Sequence, residues 1–123
     1  MQYLIRKMTG GGACPEPARP AAALLSGLGA MLAIGFAAGL SEMLDAVLMM
    51  APFGASCFLA FALPESPLAQ PRNIVFGHLV SSLVGLAVLS VFGPEWPGMA
   101  LAVGLAISAM MWTGTGHAPA GAD

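Results

Sequence analysis

Charge is what this sequence has least of. Four Lys and Arg and six Asp and Glu make up 8% of its 123 residues, and the formal net charge is −2. With no basic stripe and no interleaved aromatics, the chain lacks the electrostatic footprint of a nucleic-acid binder, and no nucleic-acid partner is expected. Cysteine is nearly as scarce: Cys14 and Cys57 are the two present, too few for a disulfide framework or a cysteine-built zinc site. Histidine occurs twice, at His78 and His117. No carboxylate stands at ligand spacing from His78, so metal ligation is not expected. Gly-rich phosphate fingerprints are missing, and local spacing assembles no nucleophile with a base and an orienting partner. The sequence therefore points away from an enzyme and calls for no cofactor.

What the chain does have is apolar surface. Hydrophobic residues are 58% of the total and mean hydropathy is +0.84. A soluble domain of this size buries only about 60 to 70% of the surface its unfolded chain exposes, so the excess must meet lipid. The few charges act as punctuation. None falls between Arg19 and Glu42, Asp45 and Glu65, Arg72 and Glu95, or Glu95 and Asp123. Each gap is close to the roughly 20 residues that cross a hydrocarbon core of about 30 Å. The expectation is an all-α, polytopic transmembrane helix bundle of about four spans: Ala21 to Leu40, Ala46 to Leu63, Ile74 to Phe92 and Gly98 to Thr113. Residues 1–20, with Gly10, Gly11, Gly12 and three prolines, read as an irregular cytoplasmic tail before a transmembrane domain over 21–123. A cleaved secretory signal over the first 39 residues is the competing reading, and it would leave three spans.

Basic residues set the orientation. Arg6, Lys7 and Arg19 precede the first span and Arg72 lies between the second and third, so with four spans all fall on one side, predicted to be the cytoplasm. The chain is thus expected in the cell membrane with both termini inside. Trp96 and Trp112 suit an interfacial belt. In the first span Gly35 and Gly39 form a GxxxG pair, a weak signal in a chain with 16 Gly. Four short spans would hardly enclose a pathway alone, so a homo-oligomer is expected.

The residues that could carry chemistry cluster around breaks in the helices. Pro52-Phe53-Gly54-Ala55 is echoed by Pro119-Ala120-Gly121-Ala122. The first copy follows span one toward the outside and the second follows span four toward the inside, the placement of an inverted repeat with half-helix motifs. Proline breaks a helix and Gly lets backbone amides stand free at the start of the next, where they and the helix dipole attract anions. Ser56 would add a hydroxyl donor. Equally, Pro52 simply kinks span two. His78, one turn inside span three and followed by Ser81 and Ser82, is either a functional group or a neutral imidazole bonded to a neighbouring helix. His117 alone would be an ordinary interfacial residue. Arg72 is expected to hold an anion or a helix C-terminus, and Asn73 to cap span three.

Three blocks carry a family resemblance: Ala51 to Ser56, then Ser66 to Asn73 with Gly77-His78-Leu79, and finally Thr113 to Asp123. In order and spacing they resemble the HPP family of small integral membrane proteins, over roughly Leu24 to Asp123. The name-giving tripeptide is here His117-Ala118-Pro119, and Gly114 and Gly116 replace bulkier or basic residues. Family members continue past the last block, which implies a truncated or divergent member. The family's association with nitrite uptake implies transport of a small inorganic anion. The resemblance carries over Pro52, Gly54, Ala55, Ser56, Gln70, Pro71, Arg72, Asn73, His78, His117, Pro119 and Gly121 as site residues. The rival is a non-transporting membrane scaffold or assembly partner.

The orientation is testable once Cys14→Ser and Cys57→Ala have removed the native thiols. Glu95→Cys should be labelled by an impermeant maleimide from outside the cell and Arg72→Cys should not; the reverse pattern inverts the topology.

Overall fold

The computed structural model describes Ile5 and residues 17–123. Among residues 17–123 there are four α-helices and no strand: α1 (Pro20–Leu44), α2 (Phe53–Ala62), α3 (Pro71–Phe92) and α4 (Trp96–Thr113). Short 3-10 turns at Pro67–Ala69 and Ala118–Ala122 complete them. Apart from Ile5 and Pro17 to Pro20, the predicted tail lies outside the described residues, as does Cys14.

Proline starts these helices where its missing N–H costs nothing. Pro20 opens α1, Pro71 opens α3 and Pro97 is the second residue of α4. Helix α3 thus begins before Ile74, and Gln70 takes the cap position without a side-chain bond. Asn73 is therefore not the cap. Its Nδ2 reaches back 2.9 Å to the Pro67 carbonyl and braces the loop.

The expected second span is where the structure departs most from four continuous crossings. Three helices, α1, α3 and α4, are long and apolar enough to cross a membrane. The segment Ala46 to Leu63 instead divides into a non-helical stretch over 46–52 and the ten-residue α2, which at 1.5 Å per residue is about 15 Å long, half a hydrocarbon core. Ser26 Oγ donates to the Phe61 carbonyl at 2.7 Å, so α2 runs antiparallel to the first part of α1. Counting back from Phe61 places the start of α2 about 12 Å deeper, near the middle of α1.

Helices α1 and α4 end in the same way. Asp45 and Gly114 are both left-handed. At the first, Asp45 N–H donates to the Glu42 carbonyl and Ala46 N–H to Ser41; at the second, Gly114 N–H donates to Met111 and Thr115 N–H to Met110. These are paired Schellman bonds. Each is followed by non-helical chain leading to a Pro-x-Gly-Ala copy: 46–51 before Pro52, and 115–117 before the 3-10 turn that begins at Ala118 and holds the second copy. Ser41 Oγ holds the first reversal by donating to the Ala46 carbonyl and accepting from Leu48 N–H. The two reversals thus share one cap geometry.

Burial is sparse. Helix α1 has no buried residue, and a Cβ at Gly35 or Gly39 would meet nothing within 4 Å, so the GxxxG pair makes no contact within the described chain. The α3–α4 hairpin is tighter: a Cβ on buried Gly98 would lie 3.0 Å from the Gly93 carbonyl oxygen. Trp96 and Trp112, 77% and 91% exposed, mark the two ends of α4, about 24 Å apart along the axis, as an aromatic belt requires.

Asp45, at φ 48°, is the sole non-glycine residue with positive φ among the described residues. Left-handed backbone costs an L-residue roughly 1–2 kcal/mol. Asp45→Gly should therefore raise the thermal unfolding midpoint in detergent, whereas Asp45→Val should lower it by the equivalent of about 1–2 kcal/mol.

Candidate functional site

Two reversals carry polar side chains to one place in the apolar bundle. From α2 comes Ser56, from α3 His78, from the segment after α4 His117, and from the last turn Asp123. Ser56 Oγ lies 2.9 Å from His78 Nε2 and 2.9 Å from His117 Nε2. His117 Nδ1 stands 2.7 Å from the Leu68 carbonyl oxygen. His78 Nδ1 meets both carboxylate oxygens of Asp123, at 2.9 and 2.8 Å. The network thus runs from Leu68 through His117, Ser56 and His78 to Asp123. His117 and the Asp123 carboxyl are each 1% exposed. No buried side-chain polar atom lacks a partner among the described residues, as burial in lipid demands.

A track of small residues makes this convergence possible. Gly77, Ser81 and Gly85 repeat every four residues along α3, so they share one face. A Cβ on Gly77 would sit 2.7 Å from His117 Cβ and 3.1 Å from the Thr115 carbonyl oxygen. Ser81 is buried, and a Cβ on Gly85 would come within 4.0 Å of the Asp123 backbone oxygen. Thr115 Oγ1 is tied to Thr113 Oγ1 at 2.8 Å. The rings also touch by their edges: His78 and His117 centroids are 5.2 Å apart, and Phe53 packs on His78 at 5.5 Å.

His117 lies past the end of α4. Burial is the largest influence on it and lowers its pKa below the ordinary value; the Leu68 carbonyl raises it, His78 lowers it and Asp123 raises it. The ring that contacts the Leu68 carbonyl therefore favours its neutral form.

The start of α2 supplies a second kind of donor. Ser56 N–H makes the first helical bond, to the Pro52 carbonyl, and Phe53 N–H bonds to Met50. The Gly54 and Ala55 amides have no hydrogen-bond partner among the described residues, as expected of a helix N-terminus. Both residues are exposed, and a Cβ on Gly54 would meet nothing within 4 Å. Two cavities flank the region. One of about 600 Å³ lies along α3 and α4 and reaches Ser82 and Asp123. The other, about 580 Å³, lies between α1 and α2 and reaches Gly54 and Cys57.

The expected site residues divide accordingly. Ser56, His78 and His117 come together, with Pro52 and Pro119 buried nearby. Gly121 packs on Ile107. Gln70 and Arg72 are exposed around the start of α3. Gln70 Nε2 makes a 3.5 Å contact with the Ser66 carbonyl, while Arg72 has no hydrogen bond or ion pair among the described residues. The two Pro-x-Gly-Ala copies do not stay on opposite faces as expected, because each reversal turns its copy inward until the two meet. Asp123, the Leu68 carbonyl and the Gly77–Gly85 track were not anticipated. The four-residue spacing of small side chains was the one signal available for the track.

Ser56, His78 and Asp123 stand in the order nucleophile, base, carboxylate, an alignment that local spacing cannot disclose. Here the serine oxygen is buried and has an imidazole on each of two sides. No group of three or more His, Cys, Asp or Glu suited to a metal ion occurs among the described residues.

A family model described as the HPP transmembrane region matches residues 15–123. Two transmembrane proteins of Dictyostelium discoideum are similar to the chain. One is 43% identical over 82 residues, covering 63% of this chain and 26% of the relative; the other is 40% identical over 87 residues, covering 66% and 30%. The matched part spans less than a third of either relative. No solved structure gives a significant match.

Gly77→Ala tests the crossing on which the site depends. It should destabilise the protein by about 1–3 kcal/mol through overpacking against backbone, whereas Gly104→Ala, where a Cβ meets open space, should be neutral or slightly stabilising in the same thermal unfolding measurement.

Proposed function

Because the chain belongs to the HPP family of integral membrane proteins, we propose that it takes part in moving a small inorganic anion, such as nitrite, across the cell membrane. The observation that carries this reading is the half-helix. Helix α2 starts near mid-depth with two unpartnered amides, and its positive dipole end faces the broken part of the crossing. An anion there would satisfy amides that otherwise cost several kcal/mol each in hydrocarbon. The cavity beside Gly54 supports access from one flank. The two histidines beside Ser56 add positive charge capacity without a fixed cation.

The other elements of the reading are topological. The N-terminus is cytoplasmic by the basic-residue asymmetry, and Arg72, exposed at the start of α3, marks the cytoplasmic entrance. The uncovered face of α1, with Gly35 and Gly39 open, suits close packing against a second copy in a homo-oligomer. The same open face is what a scaffold would present to a partner helix, so the functional test must measure the anion.

Calorimetric titration of the purified protein with nitrite and with chloride provides that test. Gly54→Val should abolish nitrite binding while leaving the unfolding midpoint nearly unchanged, because its Cβ lies in open space but its branched side chain shields the amides. Ser56→Ala should weaken binding only partially, since the amides remain. Equal binding by Gly54→Val and the parent would reduce Pro52 to a packing kink.

A further inference from the structure

The hydrogen count of the buried network determines its charge. The Leu68 carbonyl has no proton to give, so the 2.7 Å contact requires His117 Nδ1 to carry one. A neutral His117 then has a bare Nε2, and Ser56 Oγ must donate to it at 2.9 Å. That uses the single proton of the hydroxyl. The remaining contact, from Ser56 Oγ to His78 Nε2 at 2.9 Å, is a hydrogen bond only if His78 Nε2 is the donor. Yet His78 Nδ1 faces the Asp123 carboxylate at 2.8 Å and needs a proton there as well. Every contact is satisfied only when the set contains one proton more than two neutral imidazoles, a hydroxyl and a carboxylate would hold. Moving the Nδ1 proton onto Asp123 leaves the count unchanged.

We infer that these four side chains share one excess proton and pass it between the two imidazoles through the Ser56 hydroxyl, so that a proton is the ion that moves with the anion. The transfer balances without any other reactant. His78 Nε2 gives its proton to Ser56 Oγ, and Ser56 gives its own to His117 Nε2. The bonds then run in the opposite sense: His117 Nε2 donates to Ser56 and Ser56 donates to His78 Nε2. Both end states satisfy every contact, which makes the cluster a two-position proton switch. Asp123 balances the charge when the proton is on His78, and the Leu68 carbonyl receives the Nδ1 proton of His117 in both states. No other titratable group on the packed elements takes part: α4 contains none, Arg72 of α3 and Glu65 of the loop that bears Leu68 are exposed, and Cys57 of α2 lies on the cavity shared with α1. One end of the network adjoins the cavity at Ser82 and Asp123, and the other adjoins the loop at Leu68.

The coupling rests on the anion-transport reading, whereas the shared proton does not, and the experiment separates them. Protein labelled with 15N-histidine and reconstituted in bilayers is measured by NMR at pH 7.5, where free histidines are mostly neutral. The parent should show one imidazolium equivalent per chain distributed over His78 and His117. Ser56→Ala should break the sharing and give two rings with separate titrations, and Ser56→Thr, which keeps a hydroxyl, should restore it. Two neutral rings in the parent overturn the shared proton. The same proteins in nitrite-loaded vesicles containing a pH dye then test coupling against protein-free vesicles. Nitrite movement should carry protons with it, and Ser56→Ala should reduce that proton flux at least about tenfold, on the scale that a lost proton-transfer group typically costs. Nitrite flux without proton movement overturns the coupling. Absence of nitrite flux overturns the transport reading and its coupling together, while the proton count is decided by the NMR result alone.

Discussion

Lipid offers a backbone no hydrogen bonds, and this constraint organises the rest of the structure. A continuous helix meets it unaided, as α1, α3 and α4 do. A crossing interrupted at mid-depth does not, and it needs other parts of the chain to shield or satisfy what the interruption exposes. The chain interrupts itself after α1 and reverses again after α4. The left-handed caps at Asp45 and Gly114 turn each segment back, and the two irregular pieces supply much of each other's surroundings. Ser56 of one piece bonds to His117 of the other. The half-helix and the polar cluster are therefore consequences of one another.

The same constraint explains the small residues. Only a glycine at 77 allows the segment bearing His117 to cross α3 closely enough for its ring to reach Ser56. Larger side chains would force the segment outward and leave buried nitrogens facing hydrocarbon. Packing energy alone would favour filling such a gap. The gap is filled instead by backbone and imidazole, an arrangement that gives up apolar contact in exchange for a satisfied polar chain.

Much of this was legible in the sequence and some was not, for identifiable reasons. Gaps between charges located the three long helices, because a single charge at mid-membrane is costly enough to leave a visible blank. Pro52 announced the break in the second crossing, since proline acts on its own backbone. Ser56 and His78 could be singled out as polar groups in apolar sequence, and His117 through the family resemblance. Their joining could not be read, because the contacts link positions 22 and 61 residues apart. The partner of His117 at Leu68 is a backbone carbonyl, and every residue has one. Asp123 enters the sequence reading only as the end of the last gap between charges. Its carboxyl is nearly fully buried against an imidazole.

The identity of residue 56 shows how closely the chemistry of the cluster depends on one group. Between two imidazoles whose other nitrogens are already committed, the middle residue must accept from one ring while donating to the other, and then exchange those roles. An amide side chain has its donor and acceptor on different atoms and would have to flip as a whole. An alanine can do neither. A hydroxyl has one proton and two lone pairs on a single oxygen, so it can receive a proton from one ring while releasing its own to the other, and both roles reverse without moving a heavy atom. Serine also has a side chain short enough to remain within one turn of the free amides of Gly54 and Ala55. The residue that links the two histidines is therefore the same one that links them to the start of the half-helix.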